Sequence, residues 1–296
     1  METGTIIAFV ERFSSKQRSA VPYGWHTAIF FSVVALVFSL AFTPEGLGHI
    51  PPKSPVQPSV LFEGEELVYN VRYGFIDLGQ VKIVTKEKVH SNNSTVYSTQ
   101  AIIQSYSGIP FVDLHAIYES LVDTVGFSRQ FVARTKEGES WRFARYRFQY
   151  DQGRVVMELS GRDTLIEQRD TVLLDIPYHD GLSIFFYARD QLFSGRKMAI
   201  PTFVKEEKVK TYIDFKNERS SVETDFIDYP VDVVGFDGTA GFVGVYGLTG
   251  DFEGWFSNDE ARVPIKAKMK VIVGSVTLEL VSWKRPGWQP PRGSEN

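Results

Sequence analysis

The sequence contains no cysteine among its 296 residues. Disulfide frameworks, thiolate metal sites, a cysteine nucleophile and a lipid-modified N-terminal cysteine are therefore excluded. An excess of one charge is also missing: the formal net charge is only −4, so the composition does not indicate a basic nucleic-acid-binding surface. Hydrophobic residues make up 43% and aromatic residues 14%, which is typical of a folded globular chain and not of a disordered one.

The motifs of several enzyme classes are missing as well. The sequence has no H-E-x-x-H zinc motif, no G-x-S-x-G nucleophile elbow and no G-x-G-x-x-G phosphate-binding loop. Asp113, His115 and Glu119 would share one face of a strand and could bind a metal, but we favour the interpretation that they decorate a surface strand. The acidic residues near Asp251 and Glu253 could act as glycosidase carboxylates, and solvent-facing positions explain them better.

An apolar run stands near the N-terminus. Ala28 to Phe42 is almost wholly apolar, and three basic residues precede it. A basic flank followed by an apolar run of about 15 residues is the pattern of a secretory signal or a membrane anchor. Residues 1–43 are therefore expected to be a signal peptide cleaved after Ala41, or an anchor that holds residues 27–43 in the inner membrane. Both interpretations place the rest of the chain in the periplasm or cell envelope.

The remaining sequence divides into a tether, a domain and a tail. Residues 44–60 contain five prolines and predict a semi-extended tether. Residues 61–283 show the period-two alternation of strands, with Tyr69 and Tyr73 on one face of the first strand. Many short strands and one helix predict a mainly β fold, in which one large antiparallel sheet curves into a half-barrel or sandwich. Further prolines predict a loose tail over residues 284–296.

One helix is predicted over Gly181 to Phe193. Apolar residues recur from Leu182 at the spacing of an amphipathic helix, and Asp180 precedes it as an N-cap. We expect this helix to plug or flank the sheet. Near the C-terminus, Arg262 is expected to form a structural ion pair with Glu260.

Six glycines fall three residues apart between Gly235 and Gly250. No proline occupies the intervening positions, so a collagen-like triple helix is improbable. The favoured interpretation is that they allow bends in strongly curved strands. The alternative is that the missing side chains make room for a ligand or a plug.

Aromatic side chains supply the candidate binding site. Trp141 and Phe143 fall on one face of a predicted strand. Tyr146 and Phe148 fall on the opposite face, and a bulge near Ala144 would bring both pairs inward; the alternative is a sheet covered on both faces. Pockets are mostly apolar, so the residues expected to contact a ligand are Tyr69, Tyr73, Trp141, Phe143, Tyr146, Phe148 and Phe185. Plain core packing is the alternative for each of them.

Two long segments resemble the DUF3108 family. The first reads F-x-G-E-x-L-x-Y-x-V-x-Y-G from Phe62 to Gly74, and the second reads G-D-F-x-G-W-F-S-x-D-E-x-R-V-P-I from Gly250 to Ile265. A D-G-L-S helix start between Asp180 and Ser183 also fits. The resemblance covers roughly Leu61 to Trp283 and implies a mostly antiparallel β protein of the bacterial envelope. It transfers no catalytic residue, because the family pattern designates none.

These observations predict an exported, non-catalytic envelope protein with no cofactor, no metal and no catalytic residue. Its expected partners are a lipid or other hydrophobic or extended ligand, or envelope proteins, and not nucleic acid. The alternative is a structural or interaction module, for which an exposed apolar patch or an open sheet edge would be diagnostic. A hydrolase acting on envelope polymer through His115, His179 or Asp251 is the weakest alternative, since no motif supports it.

Overall fold

The computed structural model describes residues 60–91, 94–109, 112–161, 165–243, 249–271 and 274–294. The predicted signal or anchor, and the tether up to residue 59, lie outside the described residues. Within the described chain, no helix has the length and apolarity needed to cross a membrane.

Fourteen strands of the described chain form one antiparallel sheet, which confirms the predicted fold class. The strands are β1 (Glu66–Tyr73), β2 (Ile76–Ser91), β3 (Ser94–Ser105), β4 (His115–Asp123), β5 (Ser128–Glu137), β6 (Ser140–Gln149), β7 (Arg154–Ser160), β8 (Gln168–Leu173), β9 (Lys197–Val204), β10 (Glu207–Val222), β11 (Val231–Val243), β12 (Thr249–Ser257), β13 (Pro264–Lys270) and β14 (Ser275–Lys284). Their order in space is β8-β7-β6-β5-β4-β3-β2-β1-β14-β13-β12-β11-β10-β9. β1 and β14, the first and last of these strands, therefore lie side by side in the middle of the sheet.

The sheet curves until β9, at one end, packs against β6 near the other end. Phe203 of β9 packs edge-on against Tyr146 and Phe148 of β6, with ring centroids 5.4 and 5.9 Å away. The segment between β8 and β9 completes the contact, because the His179 amide donates to the Pro201 carbonyl oxygen at 3.0 Å. The Phe203 amide donates in turn to the His179 carbonyl oxygen at 2.7 Å. Curvature and this connecting segment produce a barrel-like body from an open sheet.

One α-helix of the described residues, α1 (Ser183–Gln191), packs against this body. It begins two residues later and ends two residues earlier than the predicted span from Gly181 to Phe193. The Asp180 carboxylate accepts hydrogen bonds from the amides of Leu182 and Ser183, both at 2.7 Å. The predicted capping role of Asp180 is therefore confirmed.

Strand β6 presents different chemistry on its two faces. Its register with β5 and with β7 is unbroken, so the predicted bulge near Ala144 is wrong. Successive side chains of a strand alternate in direction. Tyr146 and Phe148 therefore face the core, and Trp141 and Phe143 face the opposite side. We refer to these two sides of strands β1 to β8 as the interior face and the outer face.

Glycines in the C-terminal strands make room for aromatic rings of the same sheet. Gly238 lies opposite Phe252 and Gly254 lies opposite Phe236 in the pairing of β11 with β12. A Cβ atom at Gly238 would collide with the Phe252 ring and with a backbone oxygen of β10, and one at Gly254 would collide with the Phe236 ring. Two of the six glycines in the series lie outside the described residues. At Gly238 and Gly254, aromatic side chains of the protein itself fill the space.

The segment after β14 is held against the domain, which differs from the loose tail expected from residue 284. The Trp288 indole nitrogen donates to Asp259 Oδ2 at 2.8 Å. The Asp232 amide donates to the Pro291 carbonyl oxygen at 2.8 Å. Proline lacks an amide donor but keeps its carbonyl acceptor, so a proline-rich segment can still be bound from one side.

Candidate functional site

Four of the seven aromatics predicted to contact a ligand lie in or against the core. Tyr69, Tyr146 and Phe148 are at most 5% exposed, and Phe185 of α1 packs against the same cluster. Burial and a 2.7 Å hydrogen bond to Glu206 raise the pKa of Tyr146. Burial also raises the pKa of Tyr69, whose hydroxyl has no hydrogen-bond partner among the described residues. Their contact with a ligand stays a prediction.

The other three aromatics lie outside that cluster. Trp141 and Phe143 are partly exposed on the outer face of β6. The guanidinium groups of Arg134 and Arg145 stand 6.0 and 5.0 Å from the Phe143 ring centroid. Tyr73 is partly exposed at the end of β1. The structure therefore divides the seven residues between different environments and does not bring them into one site.

A buried ion cluster joins α1 to both ends of the domain. Arg189 is fully buried, and its two Nη atoms donate to the Glu65 carboxylate at 2.6 and 3.0 Å. Arg189 also donates to the carbonyl oxygens of Ala261 and Arg262 at 2.8 and 3.1 Å. Arg285 pairs with the same carboxylate. Because partners surround both charges, this cluster is structural.

Arg262 closes the C-terminal end of α1. Its Nη1 donates to the Asp190 carbonyl oxygen at 2.6 Å and to that of Arg189 at 3.3 Å. The C-terminal end of a helix carries a partial negative charge on its unpaired carbonyl groups, so a cation is favourable there. Burial lowers the pKa of Arg262. Its role is structural as predicted, but the contact is with the helix end and not the predicted ion pair with Glu260.

Three serines, a histidine and an aspartate gather at the start of α1. Ser120 Oγ donates to Asp180 Oδ2 at 2.5 Å, and the Asp180 amide donates to Ser128 Oγ at 2.8 Å. Ser183 Oγ lies 2.8 Å from Ser128 Oγ, and His179 packs beside two aromatic rings. Burial raises the pKa of Asp180 even though its hydrogen bonds oppose the shift. All five residues are at most 2% exposed, so they hold the fold and are closed to a substrate.

An open pocket of about 590 Å³ lies on the outer face, where the loop after β3 folds over β2 and β3. It is lined by Gln80, Gln104, Ser105, Tyr106, Ser107, Gly108, Ile109, Val112, Asp113 and His115. None of the seven predicted aromatics is among these residues. Most of the polar groups that line the pocket are side-chain amides and hydroxyls.

A row of polar side chains forms the floor of this pocket. Gln80, Gln104 and His115 are cross-strand neighbours on β2, β3 and β4. His115 Nε2 lies 3.1 Å from Asp113 Oδ1. Glu119, which shares their strand face, pairs with an arginine of β5 at 2.6 Å. No group of three or more potential metal ligands occurs in the part of the chain that the structure describes.

The loop beside the pocket is held by short-range hydrogen bonds. The Ser105 amide donates to the Leu114 carbonyl oxygen, and the Leu114 amide donates to Ser105 Oγ, both at 2.9 Å. The Tyr106 hydroxyl donates to Asn70 Oδ1 at 3.0 Å, which fixes the ring over the outer face. Tyr106 is nevertheless 38% exposed. The glutamines and this tyrosine were not predicted as site residues, although strand alternation already places Gln80 and Gln104 away from the core.

The fold and pocket define a barrel-like β protein built from one open antiparallel sheet. The chain belongs to the DUF3108 family, whose model, described as a protein of unknown function, matches residues 68–281. No curated protein matches the chain significantly.

Two solved structures are similar to this chain. One is a β-barrel-like protein of the domain of unknown function DUF1849 from Brucella abortus, with 12% identity, a TM-score of 0.48, and coverage of 74% of this chain and 96% of that chain. The other is the hypothetical protein CT021 from Chlamydia trachomatis, with 10% identity, a TM-score of 0.32, and coverage of 83% and 100%.

Proposed function

We propose that this chain is an exported cell-envelope protein that binds a short segment of an extended, polyhydroxylated ligand in the outer-face pocket without catalysing a reaction. The N-terminal apolar run and the three basic residues before it support export. The observation that carries the binding proposal is the pocket of about 590 Å³ with its amide and hydroxyl lining. Small-ligand sites have volumes of about 300–1,000 Å³.

The lining favours a neutral ligand rich in hydroxyl and amide groups. The side chains of Gln80 and Gln104 each offer donors and an acceptor, which suits sugar hydroxyls and acetamido groups. The exposed ring of Tyr106 adds an apolar surface for the face of a sugar ring. Among the residues that line the pocket, Asp113 is the one carboxylate, and its Oδ1 lies 3.1 Å from His115 Nε2. An extended glycan carries this set of groups.

Binding without catalysis agrees with the same lining. Amides and hydroxyls hold a ligand, whereas general acid–base catalysis needs groups that exchange protons near neutral pH. The pocket holds one histidine, His115, whose Nε2 lies 3.1 Å from Asp113 Oδ1, and this pair is the group that a hydrolase would have to use. The hydrolase alternative predicts glycan cleavage by the intact chain that stops in His115→Gln. Unchanged glycan after incubation with the intact chain would dismiss it.

Isothermal titration of the full chain with an oligomer of N-acetylglucosamine tests the binding proposal. Gln104→Leu removes amide hydrogen bonds from the pocket floor and should weaken binding about tenfold. Gln100→Leu is the matched control, because Gln100 lies on the same strand and face but contacts Glu119 instead. Equal affinity in the Gln104 variant, or no heat of binding to the intact chain, would reject the proposal.

A hydrophobic ligand inside the body is the second candidate. The buried Tyr69 hydroxyl favours it, because no described residue provides its hydrogen-bond partner and a bound molecule could do so. Native mass spectrometry of the purified full chain tests it. A lipid that co-purifies with the intact chain, and is reduced in Tyr69→Phe, would support this candidate. A chain that is repeatedly empty would dismiss it.

An interaction module is a third candidate, which the open edge of the sheet favours. Strand β8 ends the sheet order of the described residues. Leu165, which precedes β8, and Leu173, its last residue, are 76% and 74% exposed. A photo-crosslinking residue at Thr171, compared with one at Ser220 on β10, tests this candidate in cells. A single envelope protein linked only from Thr171 would support it, and the absence of a specific protein adduct would count against it.

A further inference from the structure

We propose that the outer face of strands β5 to β8 docks on an anionic phospholipid surface through its arginines. Cross-strand pairing places six basic side chains and one acidic side chain on this face. The basic residues are Arg134, Lys136, Arg145, Arg147, Arg154 and Arg169, and we refer to this surface as the arginine face. Glu119 of the neighbouring strand β4 pairs with Arg134, which leaves five basic side chains against Glu158. The face is therefore positive, although the whole chain has a formal charge of −4.

A buried glutamate holds three of these arginines together. Glu158 is 2% exposed and accepts hydrogen bonds from Arg145, Arg147 and Arg169 at 3.1, 2.9 and 2.8 Å. Burial opposes its ionisation, but the hydrogen bond from Arg169 and the three positive charges outweigh burial and lower the pKa of Glu158. One carboxylate cannot neutralise three guanidinium groups. The arginine side chains remain 34–65% exposed, so their remaining donors are available to an anion.

Apolar side chains share this surface. Trp141 and Phe143 are partly exposed on the arginine face, and Leu173 is 74% exposed on it. Among the described residues, four of the ten most exposed large apolar side chains lie within residues 165–176. A bilayer surface accepts both components, because guanidinium groups bind headgroup phosphates while aromatic and aliphatic groups enter the interface. A soluble anion would bind the arginines but would leave the apolar side chains in water. The combination of arginines and exposed apolar side chains therefore favours a bilayer.

The predicted N-terminal segment would keep the domain near a membrane if it stays inserted. The described chain begins at Val60, directly after the proline-rich residues 44–59. An extended proline-rich tether of this length spans about 50 Å. If residues 27–43 remain inserted, docking of the arginine face becomes an intramolecular event with a high effective concentration. The docking proposal does not depend on a ligand in the outer-face pocket.

The absence of cysteine allows a direct test on the full chain. A Thr171→Cys variant carries an environment-sensitive fluorophore on the exposed outer face of β8, and a Ser220→Cys variant carries it on β10. Both chains are reconstituted with vesicles of phosphatidylcholine alone or of phosphatidylcholine mixed with phosphatidylglycerol. The emission at position 171 should shift to the blue only with phosphatidylglycerol and should return in high salt. The emission at position 220 should not change.

Charge variants identify the residues responsible. Arg147→Gln combined with Arg154→Gln leaves Arg145 and Arg169 on Glu158, so the buried carboxylate stays paired. Each lost arginine should reduce the docking equilibrium constant about fivefold, and the double variant about 25-fold. Arg219→Gln combined with Lys270→Gln removes equal charge from the other half of the sheet and should retain docking. Circular dichroism checks that each variant is folded.

Three results would overturn the docking proposal. The first is an equal fluorescence shift with both vesicle compositions. The second is an equal loss in the two double variants. The third is a response at position 171 to soluble dextran sulfate but not to vesicles, which would assign the face to a soluble polyanion. If the Arg147 and Arg154 variant fails to fold, the salt dependence of the unmutated chain still decides between docking and its absence.

Discussion

The two faces of the sheet hold charge in different ways. On the interior side, Arg189 and Glu65 are both buried, and backbone carbonyl oxygens complete the coordination of the arginine. On the outer side, Glu158 is buried but its arginine partners remain hydrated. A buried charge needs a complete set of partners, whereas a half-exposed guanidinium group keeps donors for another molecule. The comparison indicates that interior charges maintain the fold and outer charges are available for binding.

The largest effect is expected when the interior ion cluster is broken. Arg189→Leu leaves the buried Glu65 carboxylate with Arg285 alone and removes the donors to two carbonyl oxygens. It should lower the free energy of unfolding by about 3–5 kcal/mol. Arg142→Leu is the exposed control, because its pair with Glu137 is solvated on both sides, and it should cost about 1 kcal/mol or less. Urea unfolding of the two full chains measures the difference, and equal losses would contradict this comparison.

A second contrast uses two glycines of β11 that lie on opposite faces. Gly238→Ala places a Cβ against the Phe252 ring and a backbone oxygen, so it should cost about 1–3 kcal/mol through overpacking. At Gly235 the nearest atoms to an added Cβ belong to Trp255 at 3.5 Å, which is ordinary contact. Gly235→Ala should therefore change stability by less than about 1 kcal/mol. Thermal unfolding measures both variants. An equal loss of stability in Gly238→Ala and Gly235→Ala would contradict the different packing assigned to the two glycines.

The pH dependence of stability should have opposite signs for the two buried carboxylates. The pKa of Asp180 is raised above its ordinary 3.8, so its contribution is full at pH below 3.8 and is lost as the pH rises through its folded pKa. The pKa of Glu158 is lowered below 4.5, so its contribution is present above pH 4.5 and is lost as the pH falls through its folded pKa.

Glutamine and asparagine variants separate these two contributions. Relative to the unmutated chain, Asp180→Asn should gain stability as the pH rises above about 4, because it removes a buried group that ionises. Glu158→Gln should lose stability over the same rise, because it removes a paired charge. Urea unfolding at several pH values measures both. If the stabilities of the two variants changed with pH in the same direction, relative to the unmutated chain, the opposite pKa shifts of Asp180 and Glu158 would be contradicted.

The smallest effect on stability is expected in the outer-face pocket. Gln80→Leu changes a side chain on the pocket floor and should alter the free energy of unfolding by about 0.5 kcal/mol or less. The same change should weaken binding of the N-acetylglucosamine oligomer. Unfolding and titration on one preparation provide both values. A large loss of stability without a change in binding would show that Gln80 maintains the fold and does not bind the ligand.

Local features of the fold could be predicted from sequence, because they depend on short-range periodicity. Period-two alternation identified β1, and the spacing after Asp180 identified α1 to within two residues at each end. The unbroken register of β6 could not be predicted, because an aromatic residue on each face is compatible with a bulge or with a two-sided strand. The structure shows that Arg134 of β5 and Arg145 of β6 flank the Phe143 ring on the outer face, and the contact with Arg134 crosses strands.

Long-range contacts explain what sequence analysis missed. Glu65 and Arg189 are separated by 124 residues, and no local pattern pairs them. The pocket depends on Gln80, Gln104 and His115 becoming neighbours through the register of three strands. The proline-rich C-terminal segment was expected to be a loose tail. Its Pro291 carbonyl oxygen accepts a hydrogen bond from Asp232 of β11, and composition cannot indicate such a contact. Residues on one strand can be assigned to faces, but their partners require the folded sheet.

Hydrogen–deuterium exchange of the full chain, with and without an N-acetylglucosamine oligomer, tests most directly the claim that binding occurs on the outer face while the interior is structural. Slower exchange is predicted in peptides that contain the pocket residues Gln80, Gln104 and His115. Exchange over residues 144–150 and in α1 should not change. Protection of those interior segments without protection at the pocket would contradict binding on the outer face. It would indicate that the ligand contacts the buried aromatic residues instead.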